Sequence, residues 1–132
     1  MIQKSRRVDI VTVGEYNSLT IVAVTREEQE NGLMFKSWPP PVMAFPYRTA
    51  AIRKFWMKNT PSPLDLVFCR GGFVVDIKHG KPYDCTLICP KEETDLVVEL
   101  PHGTVEAYNI SVGDPVSIKY SLDTIVKQIR HG

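Results

Sequence analysis

Two strand-like, largely apolar segments, Leu64–Cys69 and Phe73–Lys78, stand on either side of the dipeptide Gly71-Gly72. A glycine pair supplies the positive φ angles of a two-residue hairpin turn, so this pattern predicts an antiparallel ribbon. Counting outward from the turn pairs Phe68 with Val75, Leu66 with Ile77 and Asp65 with Lys78. Leu66, Phe68, Val75 and Ile77 then share one face with Leu64 and Phe73. The other face carries Asp65, Asp76 and Lys78, with Val67, Cys69 and Val74 among them. A slip of one residue scrambles both faces, because side chains alternate with a period of two. The reading therefore expects Leu66, Phe68, Val75 and Ile77 to be hidden from water.

Strand signals recur on both sides of this ribbon. Val8 and Ile10, then Leu19, Ile21 and Ala23, alternate with polar neighbours around Gly14–Ser18, which predicts two strands and a turn. Thr25-Arg26-Glu27-Glu28 is a capping-box pattern opening a short helix over 26–35, before Pro39-Pro40-Pro41. Phe55–Thr60 reads as a strand followed by a turn at Pro61-Ser62-Pro63, and 79–92 as a loop. Leu96–Leu100 is a further strand, ended by Pro101. A short helix over Thr104–Tyr108, a turn at Gly113-Asp114-Pro115 and a strand Val116–Tyr120 follow. Ser121 caps a last helix whose Leu122, Ile125, Val126 and Ile129 share a face. The fold class is α+β, mainly β: a small sandwich or barrel-like sheet with two or three short helices.

A chain of 132 residues fits one domain, with a core large enough to need no disulfide or metal staple. Its apolar runs reach four residues, as at Val42–Phe45, against the roughly 20 that a membrane span requires. Lys4, Arg6 and Arg7 begin like a signal peptide, but Asp9, Thr12, Gly14 and Glu15 interrupt any apolar core. The expected setting is cytoplasmic, or within a virion if the chain is viral.

A longer pattern links these pieces. Gly32-Leu33-Met34 precedes Phe55-Trp56-Met57-Lys58-Asn59-Thr60 and Pro63-Leu64-Asp65. Cys89-Pro90, then Leu100-Pro101-His102-Gly103, then Gly113-Asp114-Pro115-Val116 follow in that order. In these motifs, spread from Thr25 to Val116, the sequence resembles the domain of unknown function 192 family. The resemblance implies a compact β-sandwich or barrel-like fold with short helices, and implies no activity.

Charge singles out a candidate surface. Between Glu30 and Asp65 there is no acidic residue, while Lys36, Arg48, Arg53, Lys54 and Lys58 give a local charge of +5. Tyr47, Arg53, Lys54, Trp56 and Lys58 mix cations with aromatic rings, as surfaces that bind anions or stack bases do. The whole chain is nearly balanced at +1, and it holds no nucleic-acid-binding motif, which disfavours nucleic acid. In a strand, Trp56, Lys58 and Thr60 share a face and with Asp65 across the turn sketch a polar pocket with an aromatic wall, while Asn59 joins Lys58, Thr60 and Asp65 in the set a ligand-processing site would use. The bland alternatives are a solvated sheet edge, and turn residues that satisfy their own backbone.

Cys69, Cys85, Cys89 and His79 are nominal metal ligands, but only Cys85-x3-Cys89 has zinc-like spacing. Metal binding and redox pairing both stay open for Cys85 and Cys89. No cofactor fingerprint, nucleophile elbow or phosphate loop is present. Glu92, Glu93, Asp95 and Glu99 read as solvated charge. The leading expectation is a non-catalytic binding or protein-interaction domain whose partner is a protein or small ligand. The alternatives are a small-molecule-processing enzyme with a pocket near Lys58 and Asp65, and a structural subunit of a viral particle or other assembly.

Overall fold

The computed structural model describes residues 9–120. Among these residues, eight strands form two sheets, accompanied by two short helices. In the smaller sheet, β1 (Ile10–Val13) lies between β2 (Tyr16–Leu19) and β8 (Val116–Lys119), antiparallel to both. The larger sheet runs β3 (Ile21–Val22), β4 (Met43–Ala51), β7 (Thr94–Pro101), β5 (Leu64–Arg70), β6 (Phe73–Gly80), with only the β3–β4 pair parallel. The two sheets form a sandwich and not a closed barrel. Val8 and the helix expected after Ser121 lie outside the described residues.

β5 is buried on both faces, so each face of the larger sheet has its own core. Val67 and Cys69, with Val74, Val98 and Leu100, pack against Val11, Val13 and Val116 of the smaller sheet. Leu64, Leu66 and Phe68 face the other way, toward Leu33, Phe45, Met57 and the half-buried Phe55 and Ile88. The second core is thus closed by irregular segments laid over the sheet. β1 follows the expected hairpin, but its inward residues are Val11 and Val13, while Leu19 and Ile21 are exposed.

The Gly71-Gly72 ribbon forms, with a register that changes halfway. Arg70 pairs with Phe73 and Cys69 with Val74, as the turn dictates; beyond a bulge at Val75, Phe68 pairs with Asp76 and Val67 with Ile77. One extra residue on β6 moves everything distal to it by one place. Ile77 therefore joins the Val67 side of the sheet, away from Leu66 and Phe68. Asp65 meets His79, where a straight ladder would have given it Lys78. Leu66 and Phe68 are fully buried as expected; Val75 and Ile77 are half-buried.

Phe55–Thr60 is not a strand. Its backbone makes a single bridge between Phe55 and Ile88, donates Met57 N–H to the Asp84 carbonyl, closes a turn with Thr60 N–H on the Met57 carbonyl, and accepts from Phe35 and Tyr83 N–H at the Asn59 and Thr60 carbonyls. The alternation was real, since Phe55 and Met57 point inward. Its cause is contact with a sheet face, not membership of a ladder.

β4 is the strand that sequence reasoning passed over, because Pro46 interrupts it. Proline is tolerated there because β3 pairs only with Met43 and Ala44, leaving Pro46 with no neighbour on that side. The capping box at Thr25 and Glu28 forms as expected, but α1 (Arg26–Asn31) already ends at Gly32, whose φ of 48° closes it. α2 (Thr104–Ala107) follows β7.

Gly80 lies against the buried Met57. A methyl group on Gly80 would run into Met57 Sδ and lie 2.9 Å from its Cγ. Gly80→Ala is accordingly expected to cost about 1–3 kcal/mol by overpacking, read as a lower urea midpoint with an unchanged slope.

Candidate functional site

On the Leu66 side of the larger sheet, α1, the 54–58 segment and strands β4 and β7 enclose a pocket of about 600 Å³. The capping box fixes the start of α1, and Gln29 Nε2 donates to the Ala23 and Pro46 carbonyls, tying the helix to β4. Lys54, Trp56 and Lys58 alternate outward from the segment whose Phe55 and Met57 are seated in the core. They form a basic, aromatic rim. Lys58 Nζ lies 5.2 Å from the Trp56 ring centre, and Trp56 is 45% exposed. Tyr47 forms a further wall, with the Arg53 guanidinium 4.0 Å over its ring.

The floor of the pocket is Glu99. In β7, Val98 and Leu100 point into one core and Val97 into the other, which turns Glu99 toward the pocket and leaves it 4% exposed. No side-chain hydrogen bond or ion pair to Glu99 occurs among the described residues. Burial alone pushes its carboxyl up to about 8, so at neutral pH it is mainly a protonated acid. Tyr47 is pushed up to about 12 by burial; Arg53 opposes this and Glu99 adds to it. The pocket thus offers a proton donor at its base and cations at its mouth.

Of the residues singled out in the sequence, Tyr47, Lys54, Trp56, Lys58 and Thr60 come together around this pocket. Thr60 is buried and its hydroxyl donates to the Lys58 carbonyl, holding the rim's last turn. Arg53 acts from behind Tyr47 and does not line the cavity. Asn59 sits at a positive φ of 55° and uses its carbonyl to accept from Phe35 N–H, as a turn residue does. Glu99, grouped with Glu92, Glu93 and Asp95 as solvated, is the residue that sequence reasoning misplaced. The signal available was its position inside an otherwise apolar Leu96–Leu100 run.

Asp65 does not reach the pocket. It shares the opposite sheet face with Val67 and Cys69 and is 1% exposed. Its Oδ2 accepts from Gly103 N (3.1 Å) and Val105 N (2.9 Å). Its Oδ1 lies 2.8 Å from His79 Nδ1 and 2.9 Å from His102 Nδ1. Both histidine side chains are more than half exposed. Among the described residues this is the one group of three side chains whose donor atoms could surround a metal ion. Cys69 is a buried thiol pushed up to about 12 by its surroundings, and Cys85 and Cys89 are exposed free thiols.

A two-sheet β domain with a basic, aromatic-rimmed pocket over a buried acid is the class of protein that this fold and site define. The family model for domain of unknown function 192, an uncharacterized ACR, matches residues 10–118, and the chain belongs to that family. A protein of unknown function from Novosphingobium aromaticivorans is similar in structure, with a TM-score of 0.74 and 30% identity over 83% of each chain. A Sinorhizobium meliloti protein proposed to be a transcription regulator has a TM-score of 0.75 and 26% identity, over 89% of this chain and 96% of its own. No curated protein matches the sequence. Among the described residues, no helix is long and apolar enough to cross a membrane.

Proposed function

We propose that the chain is a small-ligand-binding domain whose site is the Glu99 pocket. The observation that carries this reading is the Glu99 carboxyl itself, buried without a partner at the base of a cavity open to solvent. An unpaired polar group in that position costs stability, and a ligand that hydrogen-bonds to it recovers the loss. An acid perturbed by burial in a cleft, with no structural ion pair to explain it, is a candidate functional group.

The surroundings define the ligand's chemistry. Protonated Glu99 donates, so the ligand presents an acceptor oxygen to the floor. Lys54 and Lys58 favour negative charge at the mouth, since Arg26 is already paired with Glu30 at 3.3 Å. Phe55 and Trp56 suit a flat apolar body. The fitting class is a small organic anion with an aromatic or planar core. The pocket's own residues supply recognition: an acid to donate, two ammonium groups to steer, and rings to stack.

A panel of small aromatic carboxylates, starting with benzoate and 4-hydroxybenzoate, tests this in a Trp38→Phe protein, where Trp56 is the sole tryptophan. Members of the panel should shift Trp56 emission saturably, benzylamine should not, and Lys58→Glu should weaken binding about tenfold or more. A silent panel, or equal affinity in the Lys58→Glu protein, would remove the reading.

A further inference from the structure

On the sheet face opposite the pocket, we infer that Asp65, His79 and His102 form a binding site for a divalent transition-metal ion. The placement is specific. His79 comes from the end of β6, delivered to Asp65 by the bulge at Val75, and His102 from the turn between β7 and α2. Each imidazole directs Nδ1 at the same carboxylate oxygen, and the three donor atoms lie within 4.8 Å of one another.

The two oxygens of Asp65 have separate tasks. Oδ2 is held by the Gly103 and Val105 N–H groups, which fixes the carboxylate in the fold. Oδ1 is therefore not needed for that anchoring, and a metal can take it. Two imidazoles with one carboxylate select a transition metal over calcium or magnesium, which favour oxygen throughout.

Donors around a tetrahedral ion with bonds of about 2.0–2.1 Å lie roughly 3.3 Å apart. The present separations of 2.8 and 2.9 Å need only a small outward swing of two half-exposed rings. A metal on these Nδ1 atoms requires each imidazole to carry its proton on Nε2, which faces the exposed side of the ring. The exposed side of the rings leaves further coordination positions to water or to a ligand.

Calorimetric titration of the full chain with Zn²⁺ tests the site. The expected result is saturable one-to-one binding that weakens about tenfold or more in His79→Gln and in His102→Gln. Both positions are surface-accessible, so the variants should fold, which their thermal transitions would verify. Cys85→Ser/Cys89→Ser and His131→Gln should bind as the parent does, and Co²⁺ should show visible d–d bands without thiolate charge transfer. Absence of saturable binding overturns the site. So does binding that survives in both histidine variants, or that disappears with the two cysteines.

Discussion

Replacing Glu99 by glutamine should flatten the fall in stability that the wild-type chain undergoes as pH rises from about 5 to 8. The unfolded carboxyl titrates near 4.5, while in the folded protein burial pushes it up to about 8. Below the lower value both states hold the proton and Glu99 contributes no pH dependence. Between the two, the unfolded chain releases its proton while the folded chain keeps it, so stability declines as pH rises. Above the upper value the folded state carries a buried, unpaired charge. At about 1.4 kcal/mol per pH unit, the whole decline is on the order of 4–5 kcal/mol. Glutamine cannot ionise, so the variant should equal the wild type near pH 4 and exceed it by several kcal/mol at pH 8.5. Urea denaturation of both proteins across this range isolates the difference from all other titrating groups. Parallel curves would mean that Glu99 is solvated or paired, and the pocket would lose its acid.

Asp65→Ala should remove about 2–4 kcal/mol. The carboxylate is the acceptor for two backbone N–H groups and the focus of two imidazoles, and it is nearly inaccessible. Alanine leaves Gly103 N and Val105 N without their acceptor and opens a small void beside Val105. The four-residue α2 has few other anchors, so amide exchange at Val105 should accelerate along with the drop in urea midpoint. His79→Gln and His102→Gln, acting on half-exposed rings, should each stay within about 1 kcal/mol of wild type. A cost below about 1 kcal/mol for Asp65→Ala would show that water replaces the carboxylate without penalty.

Local chemistry was the legible part of this sequence. The Gly71-Gly72 turn, the Thr25 capping box, the Leu96–Leu100 strand and the α2 segment are each specified by neighbouring residues, and each formed. What depended on distant partners was harder to read. Phe55 and Met57 alternate like a strand because they cover a sheet, and β4 hides behind Pro46 because its missing donor faces no strand. The pocket rim was visible as cations among rings, since charge and aromaticity are properties of composition. Its acid was not, because burial of Glu99 is decided by what α1 and the 54–58 segment lay over it. Nor was the meeting of Asp65 with His79, which depends on a bulge that no residue type at Val75 announces.

That bulge makes strand register, and not only residue identity, a determinant of the chemistry around Asp65. Were Val75 to take a rung opposite Phe68, a straight ribbon of the same residues would set Lys78 beside the carboxylate and carry His79 past it, whereas a relative lacking Val75 would still pair Asp65 with His79. One imidazole, that of His79, would be exchanged for an ammonium ion by a change of register alone. The Glu99 cavity takes nothing from this outermost strand and would survive the change. The two faces of the sheet are therefore free to diverge independently.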